Sequence, residues 1–169
     1  MIKLRPVEPE DLELLYAVEN NPALWRKACG SGPYSRYALK QYVASLQMAP
    51  EGSEARFVVE ALDGEGERPR TVGLADVTDF SALHGRAEVG IVLLENERGK
   101  GYGEEVLALL EEFALNRLRI HLLYAKVLVG NQASENLFRH RGFRHVATLP
   151  QWFYAGGNYH DVDLFLKIF

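Results

Sequence analysis

The chain has 169 residues, 47% of them hydrophobic and 25% charged, a balance expected of one globular domain spanning 1–169 with a core that needs no staples. A net charge of −4 argues against general nucleic-acid binding and leaves room for a cationic substrate, and the single Cys29 excludes an intramolecular disulfide framework and fits a reducing compartment. No apolar run approaches the ~18 residues that span a bilayer, and Met1–Pro6 lacks the apolar heart of a signal peptide, so a cytoplasmic protein with no membrane partner is expected.

In chain order, Lys3-Leu4-Arg5 reads as a first strand, and Pro9-Glu10-Asp11 opens a helix through about Glu19, with proline and acids in the favoured first turn. Cys29-Gly30-Ser31-Gly32-Pro33 is expected to be a loop. Ser35 is placed to cap a second helix that carries Leu39, Tyr42, Val43 and Leu46 on one side. Arg56–Leu62 is a strand and Asp63–Pro69 an exposed hairpin connection. Thr71–Val77 and Glu88–Leu94 supply two further strands. A helix from Glu104 to about Arg119 then carries Val106, Leu107, Leu110, Phe113 and Ala114 as an apolar stripe, which is core. Leu122–Leu128 is a strand, and Asn131 opens a short helix that Gly142 stops in the left-handed conformation, with Phe143 turned back into the core. Arg144–Leu149 and His160–Ile168 are strands joined across Ala155-Gly156-Gly157-Asn158. No repeat or low-complexity tract divides the chain.

Two segments carry chemistry. In Arg98-Gly99-Lys100-Gly101-Tyr102-Gly103, three glycines in five positions sit between a strand and a helix. Glycine permits the sharp turn and the close backbone approach, and the helix start adds unpaired amides and partial positive charge, so the loop suits a pyrophosphate. A P-loop is excluded because Lys100 is followed by Gly101 and not by Ser or Thr; a dinucleotide fingerprint begun at Gly99 is excluded by Glu104. The second segment, Asn131-Gln132-Ala133-Ser134-Glu135-Asn136-Leu137-Phe138, runs on to Gly142-Phe143.

In this order and spacing, the two motifs resemble the acetyl-CoA loop and the strand-closing Asn-x-x-Ala/Ser helix of the Gcn5-related N-acetyltransferase (GNAT) superfamily. The resemblance covers the whole chain and implies an α/β fold of the α+β type, a mixed sheet of about seven strands flanked by about four helices. It implies acetyl-CoA as cofactor. The amides of Arg98, Gly99, Lys100, Gly101, Tyr102 and Gly103 would hold its pyrophosphate, the backbone of Ile91, Val92 and Leu93 would pair with the pantetheine arm as an added strand, and Asn131 would bond near the thiol end. The side chains of Arg98 and Lys100 are as readily solvated cations as phosphate ligands.

Transfer to an amine wants a base for the ammonium proton and an acid for the leaving thiolate. Many relatives place a tyrosine acid seven residues after the Asn; here that position is Phe138, which lines the cofactor site but has no proton to give. Either another donor, Tyr154 foremost, Tyr159 or a water, replaces it, or the turnover step is slow. Glu88, on a strand face shared with Gly90 and Val92, is the expected base, set against a structural reading in which it pairs with Arg86 or a neighbouring strand; Glu60 and Asp76 are further candidates. The five histidines show no metal-ligand spacing, and no metal is expected. No cysteine sits in a motif for an acyl intermediate, which favours direct transfer in a ternary complex.

Within the superfamily the chain looks most like the bacterial spermidine/diamine acetyltransferase branch. The likeness runs through Lys3-Leu4-Arg5, Asn20-Asn21, Arg56–Glu60, Arg86-Ala87-Glu88, Gly99-Lys100-Gly101 and the hairpin Phe153–Tyr159. That branch often carries paired acids between its first two helices, whereas Cys29–Pro33 has none. A small polyamine-like amine is the expected acceptor, with peptide N-termini, as in ribosomal-protein acetyltransferases, as the runner-up. A non-catalytic acyl-CoA-binding module is the alternative of another class. Trp25, Trp152 and Phe153 are read as core or pocket walls, and a homo-oligomer is left open.

Overall fold

The computed structural model describes residues 1–25, 32–48, 54–62, 64 and 68–169. The elements are β1 (Ile2–Pro6), α1 (Leu12–Glu19), α2 (Pro22–Trp25), α3 (Arg36–Met48), β2 (Ala55–Ala61), β3 (Arg70–Ser81), β4 (Arg86–Leu93), α4 (Tyr102–Asn116), β5 (Leu122–Leu128), α5 (Gln132–His140), β6 (Arg144–Ala155) and β7 (Asn158–Ile168). Seven strands form one sheet in the order β1-β2-β3-β4-β5-β7-β6. Every neighbouring pair is antiparallel except β4 and β5. No helix among the described residues is long and apolar enough to cross a membrane.

Strand alternation sorts the core into two layers. On one face, Val59 and Ala61 of β2, Ala87 and Val89 of β4 and Leu123, Ala125 and Val127 of β5 pack under α4 and α5 through Val106, Leu107, Leu110, Ala114 and Phe138. On the other, Val58 and Leu74 meet Leu15 and Val18 of α1 and Leu39 and Val43 of α3. Each fully buried aliphatic side chain contributes roughly 1.5–3 kcal/mol through removal from water.

Local signals behave as expected at most element ends. Ser35 Oγ accepts from Ala38 N at 3.0 Å and starts α3. Gly142 has φ +82°, and Phe143 N reaches Phe138 O at 2.9 Å, so α5 ends in a Schellman turn that buries Phe143. Gly156 and Gly157 take positive φ in the two-residue turn between the paired Ala155 and Asn158, which matches strand twist.

Several boundaries differ. α4 begins at Tyr102 instead of Glu104, because Gly101 at φ +83° serves as its N-cap, and it ends at Asn116. β3 extends to Ser81 through an irregularity at Asp79, and β6 extends to Ala155 through a register shift around Gln151. Gln151 N there donates to Asp161 Oδ1 at 2.8 Å, which satisfies an amide that the shifted ladder leaves unpaired. The four-residue α2 adds a fifth helix; it is too short to show a period in sequence. Most of the expected loop Cys29–Pro33 and most of the connection Asp63–Pro69 lie outside the described residues, as does the side chain of Trp25.

Candidate active site

Parallel pairing between β4 and β5 covers only Arg86↔Leu122, Ala87↔Leu123 and Glu88↔Tyr124. Beyond Glu88 the strands part: β4 continues along β3 to Leu93, and β5 continues along β7 to Leu128. A cleft of about 420 Å³ fills the fork. Its β4 wall is Val89, Gly90, Ile91 and Val92, and its β5 wall is Lys126, Val127 and Leu128. The β4 edge facing β5 has no strand partner past Glu88, so its outward amides and carbonyls turn to the cleft as they would to an added strand. Ile91 and Val92 line it. Leu93 does not: its side chain packs into the α4 core, and its carbonyl accepts Arg98 Nε at 3.1 Å.

The glycine-rich loop follows a short turn at Glu95–Glu97. Gly99 and Gly101 have φ +75° and +83°, and a Cβ built on either meets nothing within 4 Å. Both therefore border open space beside the N-terminus of α4. The amides of Gly99, Lys100 and Gly101 find no acceptor among the described residues, which leaves a concave run of donors reinforced by the helix dipole. The two cations of the loop are bound inward, Arg98 on the Leu93 carbonyl and Lys100 on Glu97 Oε2 at 3.0 Å. Glu97 also takes Arg70, and these two cations hold its carboxyl below the ordinary range. Tyr102 packs against the core. Gly103 serves packing: a Cβ there would meet Leu137 Cδ2 of α5 at 3.3 Å.

Asn131 caps α5 by accepting Ser134 N at 3.4 Å, and both residues line the cleft. Phe138 lies two turns on. It forms part of the cleft wall, yet it is only 5% exposed and packs edge-on to Phe143 and stacked near Phe165. Tyr154, the expected acid, does not line the cleft. It is 60% exposed near the β6–β7 turn and sits 5.1 Å from the Tyr159 ring. Strand alternation is the reason: the neighbouring Phe153 turns inward to the cleft, which sends Tyr154 outward.

The remaining wall is polar and lies on the α1–α3 face. Glu88 stands at the fork with Oε2 3.0 Å from Lys126 Nζ, while Arg86 instead meets Asp79 at 2.9 Å. Asp76, opposite Gly90 in register, has Oδ2 3.7 Å from where a Gly90 Cβ would sit. Arg56 on β2 bonds Glu19 of α1 and places Nε 3.0 Å from Asp76 Oδ1. That last approach lies off the N–H direction, so it is a charge contact and neither atom gains a hydrogen bond. Burial pushes Asp76 up to about 6, against the pull of Arg56 and with help from Glu54 and Glu19. Glu54 accepts the hydroxyl of Tyr42, whose proton is held more tightly than in free tyrosine, chiefly through burial. Asn20 clasps the backbone of Tyr34 through both amide atoms, at 2.7 and 2.9 Å, and so fixes the cleft edge that Tyr34 forms.

Glu60, the other candidate base, lies outside the cleft; Arg5 Nε binds it at 2.6 Å while the same guanidinium holds Asp11. The histidines make local contacts, such as His145 with Asp163 at 2.9 Å, and no group of three metal-ligating side chains occurs among the described residues. Glu19, Glu54, Arg56 and Lys126 escape sequence reasoning because three distant parts of the chain, the end of α1, the start of β2 and β5, bring them together. The one trace is a charged residue on alternate positions of an apolar strand, Arg56 before Val58 and Lys126 between Ala125 and Val127.

A model of the acetyltransferase (GNAT) domain family matches residues 2–144. The chain belongs to the GNAT acetyltransferases. This GNAT protein is 29% identical to the spermidine N(1)-acetyltransferase of Escherichia coli K12 over 95% of its own length and 82% of the relative's. It superposes with a TM-score of 0.89 on the spermidine N-acetyltransferase of Vibrio cholerae solved with CoA and spermine, at 24% identity, over 99% of this chain and 95% of that one. A dodecameric form of the Vibrio enzyme matches at a TM-score of 0.82 and 25% identity, over 99% and 93% of the two chains. This GNAT chain is accordingly an acetyl-CoA-dependent N-acetyltransferase. The open, donor-lined cradle at Gly99 and Gly101 fits the cofactor's pyrophosphate, and the unpartnered edge of β4 fits its amide-bearing arm.

Proposed function

We propose that the chain acetylates a primary amine of a small polyamine, spermidine foremost, by direct transfer in a ternary complex. The observation that carries this reading is the acidic wall on the α1–α3 face of the fork, where Glu19, Glu54, Asp76 and Glu88 outnumber Arg56 and Lys126. Such a wall attracts a molecule with several ammonium groups and gives an extended peptide backbone little to bond. The names of the Escherichia and Vibrio relatives support the same class.

In this reading the amides of residues 98–103 grip the pyrophosphate, and alternate groups of β4 from Gly90 to Val92 align the arm. The Asn131 amide bonds near its thiol end. Acetyl-CoA supplies an activated acyl group and a thiolate that leaves readily. Asp76, held near 6, is matched to take the acceptor's proton at neutral pH, directly or through one water, and Glu88 at the fork orients the ammonium before it loses that proton. Phe138 forms an apolar wall near the thioester end and has no proton to give, so the departing thiolate is protonated from solvent. The single cysteine and the bacterial relatives favour a cytoplasmic enzyme, and the exposed Trp152, Tyr154 and Tyr159 offer an apolar contact for further copies of the chain.

Initial rates of thiol release with spermidine, spermine, putrescine, an N-terminally free basic peptide and an aminoglycoside test the acceptor class. Turnover led by a polyamine is the expected result. Turnover with the peptide alone would overturn the polyamine reading while leaving the transferase intact.

A further inference from the structure

Every described carboxylate on the acceptor side of the cleft has a resident partner. Glu19 and Asp76 share Arg56, Glu54 takes the Tyr42 hydroxyl, and Glu88 holds Lys126 at 3.0 Å. The two cations are not held alike. Arg56 is wedged between two carboxylates, lies over the Tyr42 ring at 5.6 Å and reaches the Tyr42 hydroxyl at 3.5 Å. Among the described residues Lys126 makes a single ion pair, with Glu88, acts on Asp79 only at longer range, and has a side chain 25% exposed at the end of a flexible four-carbon stem. Its ring contact, with Tyr124, is a long 6.0 Å. A primary ammonium 3.0 Å from Glu88 is chemically what a polyamine would itself present to that carboxylate. Lys126 therefore presents to Glu88 the same kind of group that an acceptor would present.

Charge counting gives this a consequence. Among the described residues that line the cleft, four carboxylates against two cations leave two negative charges in excess. An acceptor attacks through one neutral amine, so a triamine brings two remaining ammonium groups and a tetra-amine three. We propose that Lys126 is a specificity-determining residue: as a resident counter-cation it lowers the negative charge that the cleft offers an acceptor by one, favouring a triamine over a tetra-amine. This rests on the polyamine reading above. Removal of the Lys126 charge adds one negative charge to that excess and moves the preference toward the longer acceptor.

The test is kcat/KM for putrescine, spermidine and spermine at saturating acetyl-CoA and low ionic strength, on the full chain as wild type, Lys126→Met, Lys126→Gln and Lys126→Arg. Met and Gln are expected to raise the spermine-to-spermidine ratio roughly tenfold, the scale of one partly screened charge pair. The gain is expected in KM for spermine, with kcat little changed, and Arg keeps the wild-type ratio. Two neutral variants guard against one that folds poorly, and a change in packing alone would move all three acceptors together. An unchanged ratio in both neutral variants, or the same shift in Lys126→Arg, would overturn the role of Lys126 while the polyamine reading stands. A wild type that turns over none of the three amines would overturn the acceptor reading and this inference with it.

Discussion

Asp76 illustrates how one side chain acquires a task from its surroundings. Its carboxyl is short, sits on a central strand opposite Gly90 and is held near 6 because burial disfavours its charge more than Arg56 favours it. A base must be unprotonated to act, so kcat/KM is expected to fall as pH drops through about 6 and to level above it. Asp76→Asn is expected to lower kcat/KM by roughly 10²-fold, within the range of general-base losses, and to remove that acid limb; a variant that kept both rate and limb would exclude Asp76. Sequence alone ranked Glu88 first because alternation put it beside Gly90, and it does stand at the fork. What alternation does not show is that Lys126 of β5, 38 residues further along the chain, reaches the same carboxylate. Tyr154 failed for a related reason. The hairpin was legible from its two glycines, but the register shift between Leu149 and Phe153 decides which side chains turn inward.

At the scale of elements, the loop between β4 and α4 joins two requirements in six residues. Gly99 and Gly101 need positive φ and open space, whereas Gly103 needs a close neighbour, Leu137 on α5. The two kinds of glycine make separable predictions. Gly101→Val strains a left-handed residue at about 1–2 kcal/mol and fills the cradle without touching the protein, because nothing lies within 4 Å of the new Cβ. The expected outcome is a folded protein whose acetyl-CoA Kd, by calorimetry, rises at least about tenfold; an unchanged Kd would remove the pyrophosphate from this loop. The motif could be read from sequence because local backbone demands select glycine. Element ends were less legible: α4 starts two residues earlier than expected because Gly101 caps it, and the four residues of α2 are too few for periodicity to mark.

Across the whole molecule, the two core layers hold the fork open, and one buried cluster ties its distant parts. Glu111 of α4 is 6% exposed and takes Arg141 at 2.6 Å and Lys167 of β7 at 2.9 Å, while Lys167 also donates to the Arg141 carbonyl at 2.8 Å. Glu111→Gln removes the charge that both cations face. Because these cations are partly exposed, the expected loss is about 1–3 kcal/mol, less than for a fully buried pair, which corresponds to a Tm lower by roughly 3–10 °C for a domain of this size. The acceptor KM is expected to stay unchanged, since the cluster lies on the far side of the sheet from the acidic wall; a stable variant would show that the clasp contributes little. The central claim concerns the fork, and it meets its most direct test in one preparation assayed twice: acetyl-CoA binding by calorimetry, and release of CoA thiol with acetylated spermidine as co-product. Saturable binding with thiol and acetylated amine formed in equal amounts is the expected result. Tight binding with no thiol released for spermidine, at any pH above the Asp76 limb, would contradict the account and leave a cleft that holds the cofactor without using it.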